Sequence, residues 1–159
     1  MNRAVRQAGV TIVEMMVVVS IIGLIAAIVF PSFSAGIESV RMTSATDSIA
    51  SFLNSGLERA DRRQQMIEIT VSVPENSLTM RSTEPGFVRS LVVPDGVNIV
   101  RMVPPPVSGQ DEPTRSFYVY PAGAIPAIGI EIANSRGKHR IVRIEPTSGA
   151  AQIEDIPQQ

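Results

Sequence analysis

The chain has 159 residues, a net charge of −1 and no cysteine. That length holds one domain, the missing thiols exclude a disulfide framework and a thiolate metal site, and the near-neutral balance excludes a generally basic partner-binding protein or an acidic tail. Hydrophobic residues make up 44% of the chain, a high share for a small soluble protein, and the excess lies before Pro31.

The chain opens with a short basic segment, "MNRAVRQ", carrying Arg3 and Arg6. From Val10 to Phe30 the sequence is almost purely apolar, with Glu14 as its one charge. At about 1.5 Å per residue this run spans roughly 31 Å as a helix, the thickness of a bilayer's hydrocarbon core. A buried core helix would show polar positions at helical spacing, and this run shows almost none. A cleaved signal peptide fits the basic start, and "SFSAG" offers small residues at Ser34 and Gly36. Its apolar region is usually only about 7–15 residues long, and Glu14 is out of place in one. A retained anchor is therefore the expected reading. Arg3 and Arg6 hold the N-terminus in the cytoplasm and place everything after Pro31 outside the inner membrane, in the periplasm.

A carboxylate at the centre of a membrane helix costs about 2.5–3.5 kcal/mol and marks a functional site whose partner must be named. The bland alternative is a charge near the helix end that snorkels to the head groups.

The order of parts is specific: a basic leader ending in Gly9, then Thr11, Ile12, Val13 and Glu14, then the apolar run with Gly23, then Pro31. It resembles the class III signal of type IV prepilins and type II secretion pseudopilins. The resemblance implies that a prepilin peptidase cuts after Gly9 and methylates the new amine of Val10. It implies that Glu14 pairs with that amine on a neighbouring filament subunit, and that Pro31 kinks the helix. The one departure is Val10, where Phe is usual.

Beyond the anchor, apolar residues recur at helical spacing: Ile37, Val40, Ala45, Ile49, Phe52, Leu53, Leu57 and Ala60. Glu38, Arg41, Asp47, Asn54, Glu58 and Arg62 take the opposite positions. The spacing predicts an amphipathic continuation of the helix over 31–64, with Pro31 kinking or locally ending the first part. "ERADRR", Glu58 to Arg63, reads as a solvated helix end with cations favourable to the macrodipole.

Then the period changes to two. "MIEITVSV" puts Ile67, Ile69, Val71 and Val73 on one face, and "PENS" turns the chain into "LTMRS". "FVRSLVV", "VNIVRMV", "SFYVY", "AIGIEIA", "KHRIVRIEP" and "AAQIED" read as further strands, with turns at "PDG", "PAGAIP", "NSRG" and "TSG". "PPPVSGQDEPT", Pro104 to Thr114, is a stiff loop. Seven or eight short strands without βαβ alternation predict an antiparallel β domain.

The pieces "VVPDGVNI", "FYVYPAG" and "IEIANSRGKHRIVRIEPTSGAAQIE" resemble the GspH/FimT branch of minor pseudopilins and minor pilins. The resemblance implies an α+β fold, a long N-terminal helix packed on an antiparallel, β-sandwich-like domain. The expected divisions are a leader over 1–9, a transmembrane and assembly helix over 10–30, its amphipathic continuation over 31–64 and a periplasmic β domain over 65–159.

An active site is not legible. His139 is alone, no zinc spacing exists, and no glycine-rich phosphate loop is present. The expectation is a structural protein, not an enzyme, without cofactor or metal. Its partners would be other pilins or pseudopilins, prepilin peptidase and inner-membrane lipid. One alternative draws on the basic hairpin of Arg136, Lys138, His139, Arg140 and Arg143. Some FimT-like minor pilins take up DNA, and such a hairpin could touch phosphates. Against nucleic acid stand the absence of interleaved aromatics, the nearby Glu131 and Glu145, and the shift from −1 to −3 when the leader removes Arg3 and Arg6. A pseudopilus subunit and a type IV pilus subunit share all these features, and the sequence leaves both open. A secreted protein released by ordinary signal peptidase is the reading of a different class.

Overall fold

The computed structural model describes residues 9–83, 86–106, 112–123 and 126–156, without the side chains of 31–35. Arg3, Arg6 and the rest of the leader before Gly9 lie outside the described residues, as does the middle of the Pro104–Thr114 loop. The chain divides into two compact units, Met1–Ile37 and Glu38–Gln159.

Helix α1 spans Ile12–Arg63. Pro31 does not end it, which corrects one branch of the sequence expectation. In the first unit every apolar side chain described from Val10 to Phe30 is exposed. The segment Ile12–Phe30 is long and apolar enough to cross a membrane, and none of it is buried within the protein. Its polar Ser20 donates its hydroxyl to Met16 O at 2.7 Å, so the group is satisfied within the helix itself.

In the second unit α1 buries Met42, Ala45, Ile49, Phe52, Leu53, Leu57 and Ala60. This three-and-four spacing makes one apolar stripe. The stripe starts later than the sequence pattern indicates. Ile37 and Val40 are exposed, and Met42 with Thr46 begins the buried face. Thr46 tolerates full burial because its hydroxyl reaches Met42 O at 2.9 Å and Thr43 O at 2.7 Å. Gly56 lies flush against the sheet, and a Cβ there would meet Met80 Cε at 2.9 Å and Ile69 Cδ1 at 3.0 Å.

Eight strands follow among the described residues: β1 Ile67–Ser72, β2 Ser77–Ser82, β3 Val88–Val92, β4 Val97–Val103, β5 Thr114–Val119, β6 Gly129–Asn134, β7 His139–Ile144 and β8 Ala151–Asp155. They form two four-stranded sheets, ordered β3-β2-β1-β5 and β4-β6-β7-β8. Every pairing is antiparallel. The expected α+β architecture, a helix on a two-sheet antiparallel domain, is the observed one. Ile67, Ile69, Val71, Leu78, Met80 and Phe117 of the first sheet join Val97, Ile99, Ile130, Ile132, Val142 and Ile144 of the second and the helical stripe in a single core. Alternation along each strand makes this possible, since residues two apart share a face.

Polar side chains fasten the parts. Asn76 sits in the β1–β2 turn at φ 48°, a conformation that Asn tolerates better than most residues. Its amide donates to Val97 O at 2.8 Å and accepts from Ile99 N at 2.8 Å, tying the turn of one sheet to the outer strand of the other. From α1, Asn54 accepts Ala151 N at 2.9 Å and Asp61 accepts Ala122 N at 3.1 Å. The guanidinium of Arg59 lies 3.4 Å from the ring centre of Phe87, just ahead of β3.

Candidate functional site

The residues Gly9–Val10 lie outside the helix, in irregular backbone. Val10 is 60% exposed, and nothing lies within 4 Å of a Cβ added at Gly9. A peptide bond in this state can enter an enzyme's cleft, whereas a bond inside a helix must first unwind. Thr11 caps the helix. Its hydroxyl accepts Glu14 N at 3.2 Å, and its carbonyl accepts Met15 N at 3.2 Å.

Glu14 therefore stands in the first turn of α1. There the free N–H groups and the positive end of the macrodipole favour a carboxylate. The sequence Thr11-Ile12-Val13-Glu14 has the spacing of a capping box, and reading that spacing would have placed the helix start and given Glu14 a local stabiliser. The helix dipole explains why a carboxylate is tolerated there; it leaves open what further partner the group takes.

The basic hairpin does not form one patch. Arg136 is paired with Glu38 at 2.7 Å. The Arg140 guanidinium is largely covered, bonded to Asp155 Oδ1 at 2.6 Å and to Thr43 Oγ1 of α1 at 3.3 Å. Arg143 faces Glu154 at 3.6 Å. His139 Nδ1 meets Glu131 Oε1 at 2.8 Å. Adjacent strand residues point to opposite faces, so Arg140 and the pair His139 and Ile141 cannot share a surface. Of the sequence-nominated cluster, Lys138 is exposed in the turn and the four others face carboxylates.

The same region holds a charge network the sequence did not reveal. Glu131, 5% exposed, stands in β6 opposite Arg101 of β4. Arg101 Nε donates to Glu131 Oε2 at 2.7 Å, and His139 takes the other oxygen. Burial pushes the Glu131 carboxyl up, but the hydrogen bonds from Arg101 and His139 and their charges outweigh it, so it titrates below the usual glutamate value. The signal for this network is cross-strand register, which becomes visible only once β4 and β6 are known to be neighbours. On the first sheet, the Glu68 carboxylate and the hydrogen bond it accepts from the Tyr118 hydroxyl at 3.3 Å raise the Tyr118 phenol. Among the described residues no group of three His, Cys, Asp or Glu side chains could hold a metal ion.

With this geometry in place, the comparisons with known proteins bear on one end of the chain. Residues 5–30 match the family model described as the prokaryotic N-terminal methylation motif. The chain carries a prepilin-type N-terminus. The matched stretch contains Gly9, Val10, Glu14 and the apolar helix as far as Phe30. It covers none of the β domain. No curated protein and no solved structure matches the chain.

Proposed function

We propose that the protein is a minor pseudopilin of a type II secretion system, a structural subunit of the pseudopilus that supports export of folded proteins. The carrying observation is a methylation motif whose Gly9–Val10 bond stands outside the helix, followed by an apolar helix that the chain itself leaves uncovered. An apolar surface of this length needs lipid or other subunits to cover it. In the proposal, prepilin peptidase removes residues 1–9 and methylates the Val10 amine. The anchor then holds the β domain on the periplasmic face of the inner membrane. On assembly, Glu14 meets the Val10 amine of a neighbouring subunit, an attraction that strengthens where water is excluded. Pro31 supplies the local bend that lets the helix adapt to its neighbours.

Mass spectrometry of the mature N-terminus tests this. A methylated Val10 is the expected result; a chain beginning near Gly36 or Ile37 overturns the proposal. A bulky residue in place of Gly9 should leave the leader attached. Glu14→Ala should leave insertion and cleavage intact while reducing incorporation into filaments, and normal incorporation would remove the pairing role.

The second reading keeps processing and anchor but places the subunit in a type IV pilus, with DNA uptake as one output. The carboxylate partners of Arg136, Arg140 and Arg143 disfavour the DNA branch, since a guanidinium already neutralised by a carboxylate displaces fewer of the counterions condensed on the nucleic acid. A gel shift comparing the protein with its Arg140→Ala, Arg143→Ala double variant separates the branches: salt-sensitive binding lost in the variant would favour DNA.

A further inference from the structure

The four outer strands of the two sheets do not treat their free edges alike. In β3 the edge can be worked out from one bond. Val93 N donates to Asn76 O at 2.9 Å, and the register continues as Ser77↔Val92, Leu78↔Leu91, Thr79↔Ser90, Met80↔Arg89 and Arg81↔Val88. Hydrogen-bonded and non-bonded pairs alternate along an antiparallel ladder. Leu78/Leu91 and Met80/Arg89 are therefore bonded pairs. Val88, Ser90 and Val92 turn their N–H and C=O groups away from β2. The closeness of Thr79 Oγ1 to Ser90 Oγ, 3.2 Å, agrees with a non-bonded pair.

In β8, Glu145 N donates to Ala150 O at 3.0 Å, and the alternating ladder turns Ala151, Ile153 and Asp155 outward. There the helix intervenes: Asn54 caps the outward N–H of Ala151. At β5 the outward N–H groups of Thr114, Ser116 and Tyr118 are likewise uncapped among the described residues, so there the sequence of the edge, not its capping, sets β3 apart. Among the described residues no side chain caps the outward N–H groups of β3.

Three further observations concern this edge. Val88 and Val92 are 59% and 69% exposed, flanking Ser90 on the outer face. The edge borders a groove of about 730 Å³ between β3 and the Ser39–Phe52 stretch of α1. Finally, Asp47 and Arg89 both line the groove, and neither has an ion partner among the described residues.

We propose that β3 is a self-association edge, pairing antiparallel with β3 of a second copy about a two-fold axis at Ser90. A two-fold interface requires a patch complementary to itself. The outward residues of "VRSLV", Val88, Ser90 and Val92, read the same in both directions. Pairing sets Val88 against Val92 of the second copy twice and Ser90 against Ser90 once, completes the open ladder, and brings each Arg89 to the groove that holds the other copy's Asp47. The β5 edge presents Thr114, Ser116 and Tyr118 and lacks this symmetry. The pairing rests on the second unit alone and does not depend on how the N-terminus is processed.

The absence of native cysteine makes the test clean. The full chain in its membrane or in detergent carries Ser90→Cys, or Gln152→Cys on exposed β8 as the control. In a bonded antiparallel pair the two Cα atoms at position 90 stand about 5.5 Å apart, inside disulfide reach. Under mild oxidation the S90C chain is expected to double its apparent mass on a non-reducing gel, and Q152C to stay monomeric. Val88→Cys and Val92→Cys chains are expected to cross-link when mixed and not when oxidised separately. Equal dimer yields from S90C and Q152C overturn the proposal. So does cross-linking of V88C alone as efficient as that of the mixture, which would set the strands in another register. N-terminal mass spectrometry on the same samples reports processing separately, so either reading can fail without the other.

Discussion

The two halves of α1 share one secondary structure and face opposite demands. From Ile12 to Phe30 the apolar side chains are exposed all round, and no part of the protein covers them. From Met42 to Ala60 a narrow stripe is buried while polar residues such as Asp47, Asn54 and Glu58 take other positions. Local propensity alone does not explain this difference. A helix uniformly apolar around its circumference requires an apolar surrounding supplied from outside, whereas a striped one supplies half of its own core. The contrast separates the two units: the first leaves its apolar surface uncovered, and the second packs a core of its own.

Substitutions in the two halves break this comparison most sharply at the core. Ile49→Ala, fully buried in the second unit, should destabilise the β domain by about 2–5 kcal/mol. Ile25→Ala, exposed in the first, should leave its thermal unfolding unchanged. Equal effects in circular-dichroism melts would show that the two halves are not energetically distinct.

Next comes the joint between the sheets. Asn76→Ala removes both bonds to β4 and a residue suited to positive φ, and should cost about 1–3 kcal/mol in denaturant unfolding. A loss well below that range would mean that the shared apolar core alone holds the sheets together.

The Glu131 network should produce a smaller, pH-dependent effect. Its folded value lies below the unfolded glutamate value of about 4.3. The stabilisation is then fully present above the unfolded value and fades as pH falls through the folded one. Glu131→Gln should flatten this acid-side loss in unfolding curves collected from neutral pH downward. An unchanged pH profile would mean that Arg101 and His139 do not favour the carboxylate in the folded protein.

The smallest effect concerns glycines. Gly36→Ala meets nothing within 4 Å and should gain up to about 1 kcal/mol from helix propensity. Gly56→Ala must displace the Met80 tip and Ile69, and that crowding should cancel the gain. Identical melting shifts for the two would argue against the close approach of α1 to β1 and β2.

Much of the fold was legible in the residues because its signals are local. Apolar length marked a helix long enough to cross a membrane, helical spacing the stripe, and alternation seven or eight strands. Even so, the stripe's beginning was misplaced. Ile37 and Val40 satisfy the periodicity but are exposed, and Thr46, polar by type, tolerates burial because its own helix satisfies its hydroxyl. The candidate site divided in the same way. Gly9, Val10 and Glu14 lie within one short stretch of the matched motif, so a local reading could propose them. The basic hairpin was misleading as a cluster, because neighbouring strand residues face opposite sides and the carboxylates that pair with them come from Glu38, Glu131, Glu154 and Asp155.

By itself, then, the sequence determined the apolar N-terminal helix, the methylation motif and the kind of elements, since each depends on residues adjacent in the chain or one helical or strand repeat apart. Only the tertiary structure decided which cations are paired, that Glu131 is a buried charge, that Asn76 joins the sheets and that β3 keeps an uncapped edge. Those outcomes depend on strand order and register, which bring together groups up to about a hundred residues apart, such as Glu38 and Arg136, and no local pattern encodes that distance.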